Sequence, residues 1–346
     1  MITVIVALLM FGIIIMVHEL GHFLSARMVG IYAEEFSIGM GPKIYQYKGK
    51  ETTYSLRALP IGGYVKFIGE DEKSDDPRAF GNAKIWKRFL VLASGAGMNF
   101  ILGIILLAIF FMFIGVYEIS PDIFQVSEGS PAYEAGLRAG DKIVKVEDTA
   151  IDDKNSDSTT YIEEFKKIIN EKGNQEVNIT VERNGELKQF SIVPQYSEEQ
   201  GKYVIGVTFG RYKRYGIFKS LWSATIQTLR LIVMMVQLIG TIIFGGQGIS
   251  QLTGPVGIVG EINTAVKAGF EHILNLAIII TVNLGIVNLI PFPALDGGRL
   301  ALLIVEGIRG KPLPPEKEGY IHFIGFVILI LLMIAVTFQD ITRQWF

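Results

Sequence analysis

Four long apolar runs divide the chain, near residues 2–24, 89–117, 273–305 and 320–338. Each approaches the roughly 20 residues a helix needs to cross a bilayer. Between the second and third runs the pattern changes. Val177-Asn178-Ile179-Thr180-Val181 and Lys188–Val193 alternate with a period of two and are joined by a turn at Asn184-Gly185. Residues 161–170 have the spacing of an amphipathic helix, so 118–210 reads as an inserted α+β domain. Upstream, residues 31–70 mix short β-branched and aromatic stretches with Gly39, Gly41-Pro42, Gly49 and Pro60. Tyr45–Tyr54 reads as a hairpin turning at Gly49, and Gly63–Ile68 as a further strand. The stretch 216–244 is apolar but interrupted by Lys219, Gln227, Arg230 and Gln237. It is expected as an amphipathic helix in the membrane interface.

The pattern predicts a polytopic α-helical membrane protein with four transmembrane helices, a membrane-associated β-hairpin and an inserted α+β domain. The expected segments are a first span at 1–28, the hairpin region and a cytoplasmic loop at 29–83, and a second span at 84–117. The inserted domain at 118–210 follows, then an interfacial helix and glycine-rich loop at 211–272. A third span at 273–305 is broken at Pro291-Phe292-Pro293. A cytoplasmic loop at 306–318 precedes the fourth span and C-terminus at 319–346.

Composition agrees. Of 346 residues, 50% are hydrophobic and 19% charged, where a soluble domain carries about a quarter charged. Mean hydropathy is +0.39. Net charge is −2 and no basic stripe runs along the chain, which argues against nucleic acid as a partner. The chain has no cysteine, which excludes disulfides, thiolate nucleophiles, iron–sulfur clusters and cysteine-ligated zinc. Lys84, Lys87 and Arg88 precede the second span, and Arg309, Lys311 and Lys317 follow the third. Both groups are expected in the cytoplasm, with the inserted domain outside. No cation precedes the first run and no small-x-small site follows it, so it is expected to be retained rather than cleaved.

The strongest chemical signal is His18-Glu19-Leu20-Gly21-His22. Positions i and i+4 of a helix share a face, so both imidazoles can meet one metal, and the intervening carboxylate can hold a water on it. Three ionisable groups at the end of an apolar span are costly in lipid and default to function. Two histidines do not close a catalytic zinc site, which usually has three protein ligands. The expected third ligand is Asp296, the one acid between Glu271 and Glu306. Pro291 and Pro293 remove two N–H donors just before it, and unwound backbone at membrane depth belongs around a cavity. Asp296 has a second candidate role, capping the helix that resumes there, and the two roles are compatible. His18 lies roughly 24 Å along the first helix, and Asp296 is likewise late in an inward-running segment. Both therefore fall in the cytoplasmic half of the bilayer.

These motifs resemble the site-2 proteases, in the bacterial branch of zinc metalloproteases that carry out regulated intramembrane proteolysis. The resemblance extends to Leu59-Pro60-Ile61-Gly62-Gly63-Tyr64-Val65-Lys66, to Gly95 with Asn99-Phe100, to Leu252-Thr253-Gly254-Pro255-Val256-Gly257-Ile258 and to Asn288 through Gly298. The inserted domain resembles one PDZ domain, through Ser130-Pro131-Ala132, Ala135-Gly136-Leu137 and Gly140-Asp141. The resemblance implies a Zn2+ endopeptidase of the bacterial cell membrane that cuts transmembrane segments of membrane-anchored substrates, such as anti-sigma factors or signal-peptide remnants. It implies His18, His22 and Asp296 as ligands, Glu19 as general base and Asn288 as a substrate contact. It implies that the strand Gly63, Tyr64, Val65, Lys66 and Phe67 pairs with unwound substrate. Ala96 departs from the proline usual after Gly95, and the chain has room for one PDZ domain where some members have two. The rival reading is a non-enzymatic, membrane-anchored PDZ scaffold or sensor, and a transporter is a weaker one.

Overall fold

The computed structural model describes residues 2–70, 72, 74–151, 160–245 and 253–345. It divides into two compact units, Phe111–Tyr215 and the remainder.

The larger unit opens with α1 (Ile2–Val29), a strand pair β1 (Ala33–Lys48) and β2 (Thr53–Phe67), and α2 (Ile85–Phe113). The smaller unit contains β3 (Val116–Val126), α3 (Pro131–Glu134), β4 (Lys142–Val146), β5 (Thr149–Ala150) and α4 (Thr160–Lys172). It continues with β6 (Val177–Arg183), β7 (Glu186–Ile192), β8 (Gln195–Ser197), β9 (Lys202–Val204) and β10 (Val207–Lys213). The larger unit resumes with α5 (Ile217–Gly245), α6 (Pro255–Ala268), α7 (Phe270–Leu289), α8 (Asp296–Arg309) and α9 (Pro315–Trp345).

Among the described residues, five helices are long and apolar enough to cross a membrane: α1, α2, α5, α7 and α9. The sequence reading counts four and lays α5 in the interface. The difference lies in Lys219 and Arg230, which are too few to lower the hydropathy of a 29-residue helix below that of a span. The expected third span is two helices. α7 ends at Leu289 and α8 begins at Asp296, with Phe292 N–H on Ile290 O at 2.6 Å between them. Gly246–Gly248 and Leu252 of the glycine-rich loop lie outside the described residues.

Small residues set the helix spacing around α2. A side chain on Gly21 would run into the Ser94 carbonyl, and one on Gly103 would lie 2.8 Å from Val282. Ser25 Oγ meets Ser94 Oγ at 2.6 Å across the α1–α2 contact. With no hydrophobic drive between helices in lipid, such close approach and buried hydrogen bonds hold the bundle.

The hairpin turns at Gly49, whose N–H reaches Thr52 O at 3.0 Å, as expected. Its register is less simple. Tyr45–Lys48 faces Leu56–Thr53, and Thr53–Leu56 also faces Glu35–Ile38, which in turn faces Lys66–Gly63. The chain thus folds back to give four short stretches side by side, with 63–67 at one edge. Gly39 (φ 83°) and Gly41 (φ 84°) supply the positive φ that this doubling back requires. Phe23 of α1 packs on Phe36 and Tyr54 and seats the sheet against the helix.

The smaller unit is a six-stranded sheet in the order β10-β3-β4-β6-β7, with β5 on β4. Ile143, Val146, Val177, Ile179 and Val181 are fully buried with Phe165 and Ile169 of α4. Asn184 (φ 56°) and Gly185 (φ 84°) make the tight turn read from the sequence.

Candidate metal centre

α1 carries His18 and His22 one turn apart on the face turned to α2. Both residues are 7% exposed. They fit because α2 has Gly95 opposite them, where a Cβ would stand 2.8 Å from His18 Cε1 and closer still to His22. The ring centroids are 4.8 Å apart at 84°. Asp296 arrives from the first turn of α8. Gly297 and Gly298 let that turn close onto the carbonyls of Leu289, Ile290 and Phe292, where side chains would collide. Ala294 takes a left-handed φ of 78°, and its N–H is held by His322 Nδ1 at 2.9 Å. His322 therefore braces the turn that delivers Asp296 and is not among the clustered donors.

Three donor atoms converge. His18 Nε2 and His22 Nε2 are 3.2 Å apart, and they lie 3.1 and 3.3 Å from Asp296 Oδ2. A tetrahedral ion with bonds of about 2.0–2.1 Å separates its ligands by roughly 3.3 Å. The triangle therefore has the edge length of one face of a zinc site. Asp296 Oδ2 is buried with no hydrogen-bond donor assigned to it. Among the described residues this is the one His/Asp/Glu group of three that could hold a metal ion. The capping role foreseen for Asp296 is not taken: Leu295 occupies the N-cap, with no side-chain cap.

The far ring nitrogens are also engaged. His22 Nδ1 meets Val91 O at 2.8 Å, which holds the proton on Nδ1 and leaves Nε2 free to ligate. His18 Nδ1 lies 3.3 Å from the carboxamide of Asn99, a fully buried residue of α2. Asn99 was legible as part of a motif, but its contact with His18 was not. Glu19, beside the two histidines, has the Val65 N–H of β2 among its polar neighbours. A Cβ on Gly63 would lie 3.2 Å from Glu19 Cγ, so bare backbone faces the carboxylate. The structure thus brings Glu19 together with Gly63 and Val65. Lys66 points elsewhere, to Glu34 at 2.9 Å, and Tyr64 takes a hydrogen bond from Arg57. Asn288 sits in the last turn of α7, partly exposed.

The family model of peptidase family M50 matches residues 6–332. The chain belongs to peptidase family M50. A candidate zinc metalloprotease of Clostridium acetobutylicum is 38% identical over 339 residues, covering 98% of this chain and 97% of its own. The zinc metalloprotease RasP of Oceanobacillus iheyensis is 31% identical, covering 99% of each. The regulator of sigma-W protease RasP of Bacillus subtilis is 30% identical, covering 99% of this chain and 98% of its own. The PDZ domain of an SdrC-like protein from Listeria monocytogenes is 24% identical over 27% of this chain and 90% of that one, with a TM-score of 0.22. As an M50 member the chain is a zinc metalloendopeptidase of the site-2 type, a protease of membrane-embedded substrates rather than a scaffold.

Proposed function

We propose that His18, His22 and Asp296 hold the zinc and that Glu19 is the general base. The observation that carries this reading is the triangle of donor atoms with edges of 3.1–3.3 Å. Zinc, when bound, polarises the scissile carbonyl and acidifies the attacking water. Glu19 accepts that water's proton and delivers it to the leaving nitrogen. Val91 O and Asn99 orient the two imidazoles from behind.

A peptide bond within a transmembrane helix is shielded by its own hydrogen bonds, so the substrate must unwind. We assign the replacement hydrogen bonds to the edge strand Gly63, Tyr64, Val65, Lys66 and Phe67, by strand addition beside Glu19. Asn288, at the mouth of the break before Asp296, is assigned to the unwound substrate. The substrates are membrane-anchored proteins. The name of the Bacillus subtilis relative supports an anti-sigma type of substrate. The cations at 84–88 and 309–317 support a cytoplasmic position for those loops, a metal centre in the cytoplasmic half of the bilayer and an extracytoplasmic PDZ-like unit.

The test is Glu19→Gln in the full chain with a single-span substrate. The amide cannot take the proton, so kcat should fall by roughly 10²–10⁴ while zinc stays near one per chain. Activity within tenfold of the parent rules out Glu19 as the base. Parent protein that purifies without zinc and binds none on titration removes the metal assignment.

A further inference from the structure

An edge strand in lipid has a problem that an edge strand in water does not. Its outward N–H groups have no water to satisfy them, and each unpaired group costs several kcal/mol. In the strand 63–67 the N–H groups of alternate residues point the same way. Two of these, at Val65 and Phe67, lie on the side away from β1. Val65 N–H lies among the polar neighbours of Glu19. Phe67 N–H is taken by Glu70 Oε2 at 3.3 Å. The other oxygen of Glu70 pairs with Arg299, one turn after Asp296 on α8. Glu70 is largely buried in this position, with 14% of its side chain exposed.

We propose that Glu70 is a built-in occupant of the substrate's place. Its carboxylate stands where a carbonyl of the added strand belongs at Phe67, and Arg299 latches it there, so each substrate displaces Glu70 before it can pair along the whole edge. Glu70 is then a positioning residue that sets substrate affinity and not a catalytic one. The inference rests on the strand addition proposed above. It also explains why an edge poised to accept any extended peptide stays closed to adventitious strands at this end: its Phe67 donor is not left open.

The test uses the zinc-loaded full chain and a stable single-span substrate. Glu70→Ala should lower KM by roughly two- to tenfold, the fold-change of one net hydrogen bond no longer displaced. Zinc content and kcat should stay at the parental level. Glu70→Gln keeps an acceptor at Phe67 but weakens the hold of Arg299, so its KM should fall less. It carries the test alone if Glu70→Ala fails to fold or loses zinc. The control is Phe67→Pro, which deletes the donor itself and should raise KM or abolish cleavage. Parental or higher KM in the folded Glu70 variants, with Phe67→Pro impaired, overturns the latch and leaves strand addition standing. Parental cleavage by Phe67→Pro as well as Val65→Pro overturns strand addition and the latch together.

Discussion

Each unit of this protein sets an aspartate among polar partners, and Asp141 and Asp296 are solved in opposite ways. Asp141, in the smaller unit, is 1% exposed and fully supplied with donors. Arg183 Nε and Nη2 reach its two oxygens at 2.6 and 2.7 Å, and the Arg138 N–H adds a third bond at 2.8 Å. The carboxylate in turn holds the Arg183 guanidinium above its ordinary range. Asp296, in the membrane unit, faces two imidazole nitrogens and no assigned donor to its buried oxygen. A carboxylate with every lone pair answered is structural: it ties the turn at Arg138 to β6. A carboxylate converging with two imidazole nitrogens is the arrangement that a cation among them satisfies. The surroundings are inverted too. The smaller unit packs Ile143, Val177, Ile179 and Val181 inside. The membrane unit turns Ile5, Leu9, Leu331 and Ile334 outward and gathers His18, His22, Asn99 and Thr281 within. The solvent of each unit dictates which face is apolar, so burial means packing in one and chemistry in the other.

The largest effects should separate the two aspartates cleanly. Asp296→Ala should purify with little zinc and cleave no substrate, with hydrogen exchange of β6 unchanged. Asp141→Ala should keep its zinc and leave Arg183 without its partner. Breaking a buried pair costs about 3 kcal/mol or more, seen as faster exchange of the β4 and β6 amides in the full chain. Zinc retained by Asp296→Ala, or lost by Asp141→Ala, would collapse the distinction.

Much of the membrane centre was legible in the sequence because lipid makes polar residues conspicuous. His18, Glu19, His22 and Asp296 each interrupt an apolar segment, and helix geometry brings the histidines together. The break at Pro291–Pro293 was legible for the same local reason, since two missing N–H groups end a helix. What was hidden is non-local. Nothing near Glu35–Ile38 says that this stretch will lie between Thr53–Leu56 and Gly63–Lys66. Glu70 and Arg299 are 229 positions apart, and no periodicity links them. α5 reads differently residue by residue and as a whole. Its four scattered polar residues look amphipathic one by one, yet the whole helix remains apolar enough to span.

A middle-sized effect should sharpen the account of how the metal ligands are held. His22 is steadied by a backbone carbonyl that no substitution removes, whereas His18 depends on the side chain of Asn99. Asn99 Nδ2 faces His18 Nδ1, and its Oδ1 is buried without a partner. When His18 Nε2 offers its lone pair to a metal, Nδ1 carries the proton, and the carboxamide turned over presents Oδ1 as the acceptor for it. Loss of such an outer partner typically costs 10–100-fold in metal affinity. Asn99→Ala should therefore weaken zinc binding by roughly that range in a competition titration with a chelator. Asn99→Asp, which keeps the acceptor, should stay nearer the parent. Equal affinity in Asn99→Ala would mean that packing against Gly95 alone orients His18.

The smallest expected effect carries the comparison down to the capping of helices. In the smaller unit α3 is capped by its own neighbour, as Ser130 Oγ accepts the Tyr133 N–H at 3.3 Å. In the membrane unit α6 is capped from a distance. Asp340, near the end of α9, accepts from Gly254 N–H at 3.1 Å and from Gly257 N–H at 2.7 Å. Side chains on either glycine would collide with Asp340 or its surroundings, so the Gly254-Pro255-Val256-Gly257 motif is shaped to admit that carboxylate. Both glycines stand at the start of α6, where the first N–H groups have no partner within the helix. Loss of a cap costs about 0.5–2 kcal/mol. Ser130 is partly exposed, so water can replace its hydroxyl, and Ser130→Ala should fall at the low end. Asp340 is 4% exposed, so nothing replaces it, and Asp340→Ala should fall at the high end. Exchange of the Gly254 and Gly257 amides should quicken in Asp340→Ala, while zinc content stays at one. Equal costs for the two substitutions would mean that water reaches the start of α6, and the contrast between the units would then stop short of their helix ends.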